Sequence, residues 1–257
     1  MLSREIQAVY VMWLREMKRF IRSKSRILGI IIQPLFFLFI LGGGLTGATL
    51  PGMTGEYIDF LAPGVIAMAI LFSSMFTGLS VLWDKQFGFL QEVLVAPITR
   101  FSIIIGRTFG GATTALIQGF IILMISIFLG VKISGILGLF LAIIFMILLA
   151  FTAVGFGLIL ASIMRDFQGF QIIINLILLP LFFLSSAIIP IQTNTNLPDL
   201  AIKASFANPL FYMVDGLRGS LTGINYYFHP MINLIIVFFI CAIIMGLGAY
   251  FFNKSEA

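Results

Sequence analysis

One histidine, His229, and one cysteine, Cys241, are the only imidazole and thiol in the chain. Metal and nucleophile chemistry usually draws on such groups in clusters, as in His-Glu-x-x-His zinc sites, or on a serine in a Gly-x-Ser-x-Gly turn. Neither pattern occurs, and His229 sits before Pro230 at the start of an apolar run, where a loop residue is the plainer reading than a ligand. Cys241 has no partner for an intrachain disulfide. The phosphate loop Gly-x-x-x-x-Gly-Lys-[Ser/Thr] is also missing, so any ATP that drives this protein is bound by another chain. The sequence predicts no catalytic residue, no cofactor-binding residue and no metal site.

The most informative polar stretch is residues 83–100, WDKQFGFLQEVLVAPITR. At about 100° per residue, Phe87, Phe89, Leu90, Val93 and Leu94 share one arc, and Asp84, Lys85, Gln91 and Glu92 share the opposite one. Pro97 disfavours helix at Ala96, and Thr99 can cap the helix that follows. The pattern predicts a short amphipathic helix that turns a polar, acidic face to the cytosol. An ordinary interfacial loop is the alternative.

The elements that must hold this stretch are apolar. Hydrophobic residues make up 60% of the chain and charged residues 10%, with a mean hydropathy of +1.14; a soluble domain carries about 25% charged residues. Runs near the roughly 20 residues needed to cross a hydrocarbon core cover 27–45, 60–82, 102–129, 136–164, 170–190 and 231–252. Pro34 and Pro180 lie inside such runs, which is tolerable where neighbouring helices satisfy the freed carbonyls. Residues 4–26 are basic and amphipathic, with Ile6, Val9, Tyr10, Trp13, Met17, Phe20 and Ile21 at helical spacing. Such a helix lies in the headgroup layer; packing on a partner is the alternative. Residues 1–26 are too charged for a signal peptide, and no small-residue cleavage site follows.

The expected fold is therefore an all-α integral membrane protein. Residues 1–26 form a cytoplasmic interfacial amphipathic helix, 27–252 a six-span transmembrane domain, and 253–257 a cytoplasmic tail. With the N-terminus inside, twelve Lys and Arg fall on the cytoplasmic side, and only Lys132, Lys203 and Arg218 fall outside. That bias places both termini in the cytoplasm. It also explains the net charge of +5 as an orientation signal rather than a nucleic-acid surface.

Ionisable residues are nearly absent from the predicted spans. Asp84, Asp166 and Asp215 fall in connections, and Arg107 lies near a span end, from which it can snorkel to the cytoplasm. An ion-coupled transporter normally needs an ion site at mid-membrane. None is visible, although backbone carbonyls alone can bind sodium. Small residues at Gly106/Gly110, Gly111/Ala115 and Ala153/Gly157/Ala161 are spaced for close helix packing, within one subunit or between two.

The elements Asp84-Lys85, Gly88, Glu92-Val93-Leu94, Pro97, Arg100 and Gly106-Arg107 resemble, in order, the coupling segment of type-2 ABC transporter permeases. Gln33-Pro34, Phe60-Leu61-Ala62-Pro63-Gly64, and Asn208-Pro209 followed by Asp215-Gly216-Leu217-Arg218 extend the likeness over nearly the whole chain. Gln86 stands where the family often has a charged residue, and Phe89 where a small polar one is common; these departures bear on subgroup rather than family.

The resemblance implies a permease subunit of an ABC exporter in the plasma or inner membrane. It pairs with itself or with a similar permease, and two ATPase subunits carry the ATP and Mg. Asp84, Lys85, Gln86, Gly88, Glu92, Pro97, Arg100 and Arg107 would form the ATPase-coupling segment: Lys85, Gln86, Gly88 and Glu92 dock, while Arg100 and Arg107 brace. Residues 191–230 would form external re-entrant helices carrying the motif Asn208, Pro209, Asp215 and Arg218.

The main polar residues of the spans, Gln33, Gln118, Gln171 and Asn175, are candidate pore-lining groups. So few hydrogen-bonding groups favour a hydrophobic drug or lipid over a polysaccharide or lipo-oligosaccharide, and the motifs resemble those of drug-resistance and nodulation-type exporters, which implies multidrug efflux. A non-transporting membrane scaffold and an ion-coupled secondary transporter are the readings from other classes.

Overall fold

The computed structural model describes residues 2–44, 56–89, 93, 95, 96, 98–164, 166–191, 198–224 and 227–255. Glu92, Pro97 and Arg165 lie outside the described residues. The described elements are all helical: α1 (Leu2–Arg22), α2 (Lys24–Phe37) running on into a π-helical segment (Leu38–Gly43), α3 (Tyr57–Gln86), α4 (Arg100–Phe128), α5 (Ile136–Ile163), α6 (Phe167–Phe183), α7 (Asp199–Ala207), α8 (Pro209–Thr222) and α9 (Pro230–Ser255).

Local chemistry sets several boundaries. Thr99, Asp166 and Asn208 cap α4, α6 and α8 by accepting from the backbone N–H groups of Ser102, Gly169 and Leu210. Pro209 occupies the first turn of α8, where its missing N–H costs nothing. Gly223 closes α8 in the left-handed conformation at φ 75°.

Helices α3, α4, α5 and α9 are long and apolar enough to cross a membrane. The first and fifth runs differ from expectation. Helix α6 has only 17 residues, short of the roughly 20 that a bilayer needs, because the chain leaves helix in the turns at 184–189. Helix α2 contains Pro34, changes to π geometry one turn later, and meets α1 at 70°. The fold thus presents four candidate spans, or five if α1 and the α2 segment form one bent unit, where the sequence predicts six.

Helix α3 is the hub. It packs against α2, α4, α5, α6 and α8, and 89% of its most apolar window is buried, against 17% for the peripheral α9. Glycines let the backbones approach. A Cβ on Gly78 of α3 would strike the Gly157 backbone of α5, and one on Gly64 would strike Ala187. Gly106 and Gly110 of α4 admit α1, with Met12 Cβ 2.6 Å and Glu16 Cβ 2.7 Å from where their own Cβ atoms would sit. In this chain these small-residue positions pack helices within the subunit.

Candidate functional site

The predicted coupling segment is divided. Asp84, Lys85 and Gln86 complete the last turn of α3 rather than opening a new helix. The break comes at Phe87 and Gly88, where Gly88 takes φ 76° and its N–H donates to the Lys85 carbonyl at 3.4 Å. A left-handed residue just past a helix end favours glycine. A Cβ there would meet nothing within 4 Å, so backbone conformation, not crowding, accounts for glycine at this point. Beyond it, Phe89, Val93 and Val95 are helical.

Asp84 is not a connection residue in water. It is buried, and it gathers three arginines from two other helices. Arg15 of α1 donates through both terminal nitrogens, at 2.7 and 2.8 Å. Arg107 of α4 reaches the Oδ2 at 2.9 Å, and Arg19 of α1 lies 3.7 Å from the Oδ1. Arg107 is 0% exposed, so it does not snorkel to the cytoplasm; the paired carboxylate substitutes for water, which keeps a buried cation tolerable. The Arg15 guanidinium also sits 3.8 Å over the Phe89 ring, and Arg19 5.4 Å from the Trp83 ring. Charge and aromatic contacts therefore clamp α1, α3, α4 and the start of the following segment to one another.

Helix α1 packs on α4 rather than lying free. Met12, Glu16 and Phe20, at i, i+4 and i+8, form its buried stripe. Trp13 donates from Nε1 to Thr113 Oγ1 at 3.1 Å, while Ile6, Tyr10 and Ile21 stay exposed. Glu16 accepts from Ser80 Oγ at 3.4 Å. Glu5 accepts from the Thr99 hydroxyl at 2.9 Å and its N–H at 3.2 Å. Arg100 donates to the Asn253 carbonyl at 3.2 Å, so Glu5 of α1 and Asn253 of α9 both lie beside the start of α4. Sequence patterning places Arg15 and Arg19 on the basic face of residues 4–26 but connects neither of them, nor Glu16, with the Asp84 site. The signal available was an acid, Glu16, set i+4 from Met12 and i−4 from Phe20 in an otherwise apolar stripe.

Three of the four candidate pore residues share one cavity. Gln33 of α2 and Gln171 and Asn175 of α6 open onto a space of about 580 Å³ whose α3 wall is Phe72, Met75, Phe76 and Leu79. Gln118 lies apart, 0% exposed within α4, with neither side-chain amide atom hydrogen-bonded among the described residues.

The opposite end of α3 carries a second polar knot. Arg218 of α8 is wholly buried; its Nε donates to the Phe60 carbonyl at 3.1 Å, its Nη2 to the Ser186 carbonyl at 2.8 Å, and its guanidinium lies 3.8 Å over the Phe60 ring. Asp215, also buried, accepts from Asn233 Nδ2 at 2.9 Å and the Phe228 N–H at 3.1 Å. Asp215, which the sequence places in a connection, and Arg218 thus form a buried tie between α8, α9, α3 and the turn after α6. Asn208, besides capping α8, donates from its amide to the Leu181 carbonyl.

Residues 7–222 match the family described as ABC-2 type transporter. A putative transport permease, ycf38, of Cyanophora paradoxa is 28% identical over 216 residues, covering 83% of this chain and 73% of that protein. The inner membrane transport permease YadH of Escherichia coli K12 is 29% identical over 223 residues, covering 85% of this chain and 84% of its own. A probable multidrug ABC transporter permease, YbhR, of the same organism is 30% identical over 162 residues, or 62% of this chain and 43% of that protein.

Proposed function

The chain belongs to the ABC-2 type transporter family, and from that premise we propose that it is the permease half of an ATP-driven exporter for a hydrophobic drug or lipid-like substrate. The family makes it a membrane subunit of a transporter that works with ABC ATPase subunits. Our reading adds six crossings, with the α2 segment and α6 as the first and fifth. It adds two permease copies, or this chain with a similar one, around the path, two ATPase subunits that hold the ATP and Mg, and both termini in the cytoplasm. In this reading Lys85, Gln86, Gly88 and Glu92 meet the ATPase, while Asp84, Arg100 and Arg107 tie the segment to the bundle.

The cavity carries the substrate assignment. Its walls are mainly Phe, Met, Leu and Ile with three neutral amides, the balance that binds an apolar molecule and fixes its orientation at a few points. The name of the relative YbhR, a probable multidrug permease, points the same way. The test is co-reconstitution with the ATPase in lipid. Hydrophobic amphiphiles should stimulate ATP hydrolysis, and Gln171→Leu with Asn175→Leu should change which ones do while leaving ATPase copurification intact. Stimulation by soluble oligosaccharides alone would overturn the assignment.

A further inference from the structure

A second concave surface lies at the elbow where α1 turns into α2. It encloses about 920 Å³ and is lined by five cations, Arg15, Lys18, Arg19, Arg22 and Lys24. Asp84 compensates Arg15 and Arg19. No acidic side chain among the described residues lies within ion-pair distance of Lys18, Arg22 or Lys24. Ser23, which begins α2 without a side-chain cap, and Ser25 line the same hollow.

The hollow also has an apolar side, Val11 and Leu14. It opens where the chain passes from a basic amphipathic helix into α2, whose Leu28, Ile32 and Phe36 are 58–60% exposed. An occupant must therefore offer a negative group next to hydrocarbon. A cluster of cations beside a membrane segment is the pattern that holds anionic phospholipids, at about 1 kcal/mol per cation. A soluble phosphate satisfies the cations but leaves the apolar side uncovered, and an acidic peptide gains nothing from the neighbouring lipid-facing residues.

We propose that this elbow is a binding site for the headgroup of an anionic phospholipid, with Lys18, Arg22 and Lys24 as its selective cations and Arg15 and Arg19 held in place by Asp84. A lipid seated there would fix the angle between α1 and α2, and so the stance of the helix that carries the Asp84 clamp.

The test is native mass spectrometry of the full chain in detergent, titrated with dioleoyl phosphatidylglycerol, dioleoyl phosphatidylcholine, inorganic phosphate and hexaglutamate. Wild type should retain phosphatidylglycerol over phosphatidylcholine. Replacing Lys18, Arg22 and Lys24 with Gln should cost about fivefold per cation, on the order of 100-fold together. Because loss of these charges can also disturb insertion, the variant Lys18→Arg with Lys24→Arg should restore retention, and Lys203→Gln, on the distant α7, should leave it unchanged. Equal retention of the two lipids, equal retention by wild type and the triple Gln variant, or competition by phosphate or hexaglutamate at the lipid's own concentration would each overturn the proposal.

Discussion

Asp84 and Arg107 face each other at 2.9 Å across α3 and α4, with the arginine wholly enclosed and the acid held from its other side by Arg15. Removing one member of such a buried pair strands the other. Asp84→Asn should destabilise the chain by about 3–5 kcal/mol, while Asp84→Asn combined with Arg107→Met should recover most of that loss. Thermal unfolding in detergent separates the two outcomes; a transition unmoved by Asp84→Asn would show that the clamp is not structural.

Docking of α1 depends on the absence of side chains at Gly106 and Gly110. Gly106→Leu would place a side chain where Met12 Cβ and the Val9 carbonyl stand, and overpacking of this kind costs about 1–3 kcal/mol. The expected result is faster cleavage by trypsin at Arg15 and Lys18 with the remaining bundle intact. Unchanged cleavage would mean that α1 is held without α4.

The Ser102 and Thr99 hydroxyls and the Thr99 amide hold the Glu5 carboxyl below the usual carboxylate range. A carboxylate whose folded pKa is depressed stabilises above its unfolded pKa, and that support is lost as pH falls through the folded value. The tie between α1 and the cap of α4 should therefore survive acidification to the ordinary carboxylate pKa of about 4.3 and fail only below it. Glu5→Gln should remove this pH dependence from tryptic release of α1; an identical profile for both proteins would contradict the role.

At the other end of α3, Arg218 donates to two carbonyls that belong to different elements. A lysine cannot reproduce both bonds from one planar fork. Arg218→Lys should lower stability by about 1.5–3 kcal/mol, the worth of one lost charge-assisted bond, and Arg218→Met by more. Unfolding temperatures in the order wild type, Lys, Met check this.

Hydropathy located all the long helices because their apolar runs exceed 20 residues and end at Pro, Gly or charged positions such as Thr99-Arg100 and Arg165-Asp166. The cap at Thr99 was legible for the same reason: a short hydroxyl residue directly precedes the run. What the sequence hid was tertiary. Asp84 and Arg107 read as water-facing because each lies near a span end, and only the packing of α1 over them closes off water. The stop at Gly88 was also misplaced, since helical periodicity continues smoothly across it and a positive φ leaves no mark beyond the glycine itself. Gln33, Gln171 and Asn175 were singled out by polarity alone, and it took the fold to bring α2 and α6 around one cavity.

The most direct measurement is ATP-coupled transport by the chain reconstituted with its ATPase, comparing Glu92→Lys, in the proposed coupling segment, with Glu56→Lys. Glu56 is an exposed residue whose only ion pair among the described residues is an exposed contact with Lys132, and such pairs contribute little. The account predicts wild-type transport and ATPase copurification for Glu56→Lys, and loss of one or both for Glu92→Lys with membrane insertion preserved. Wild-type behaviour of both variants would contradict it.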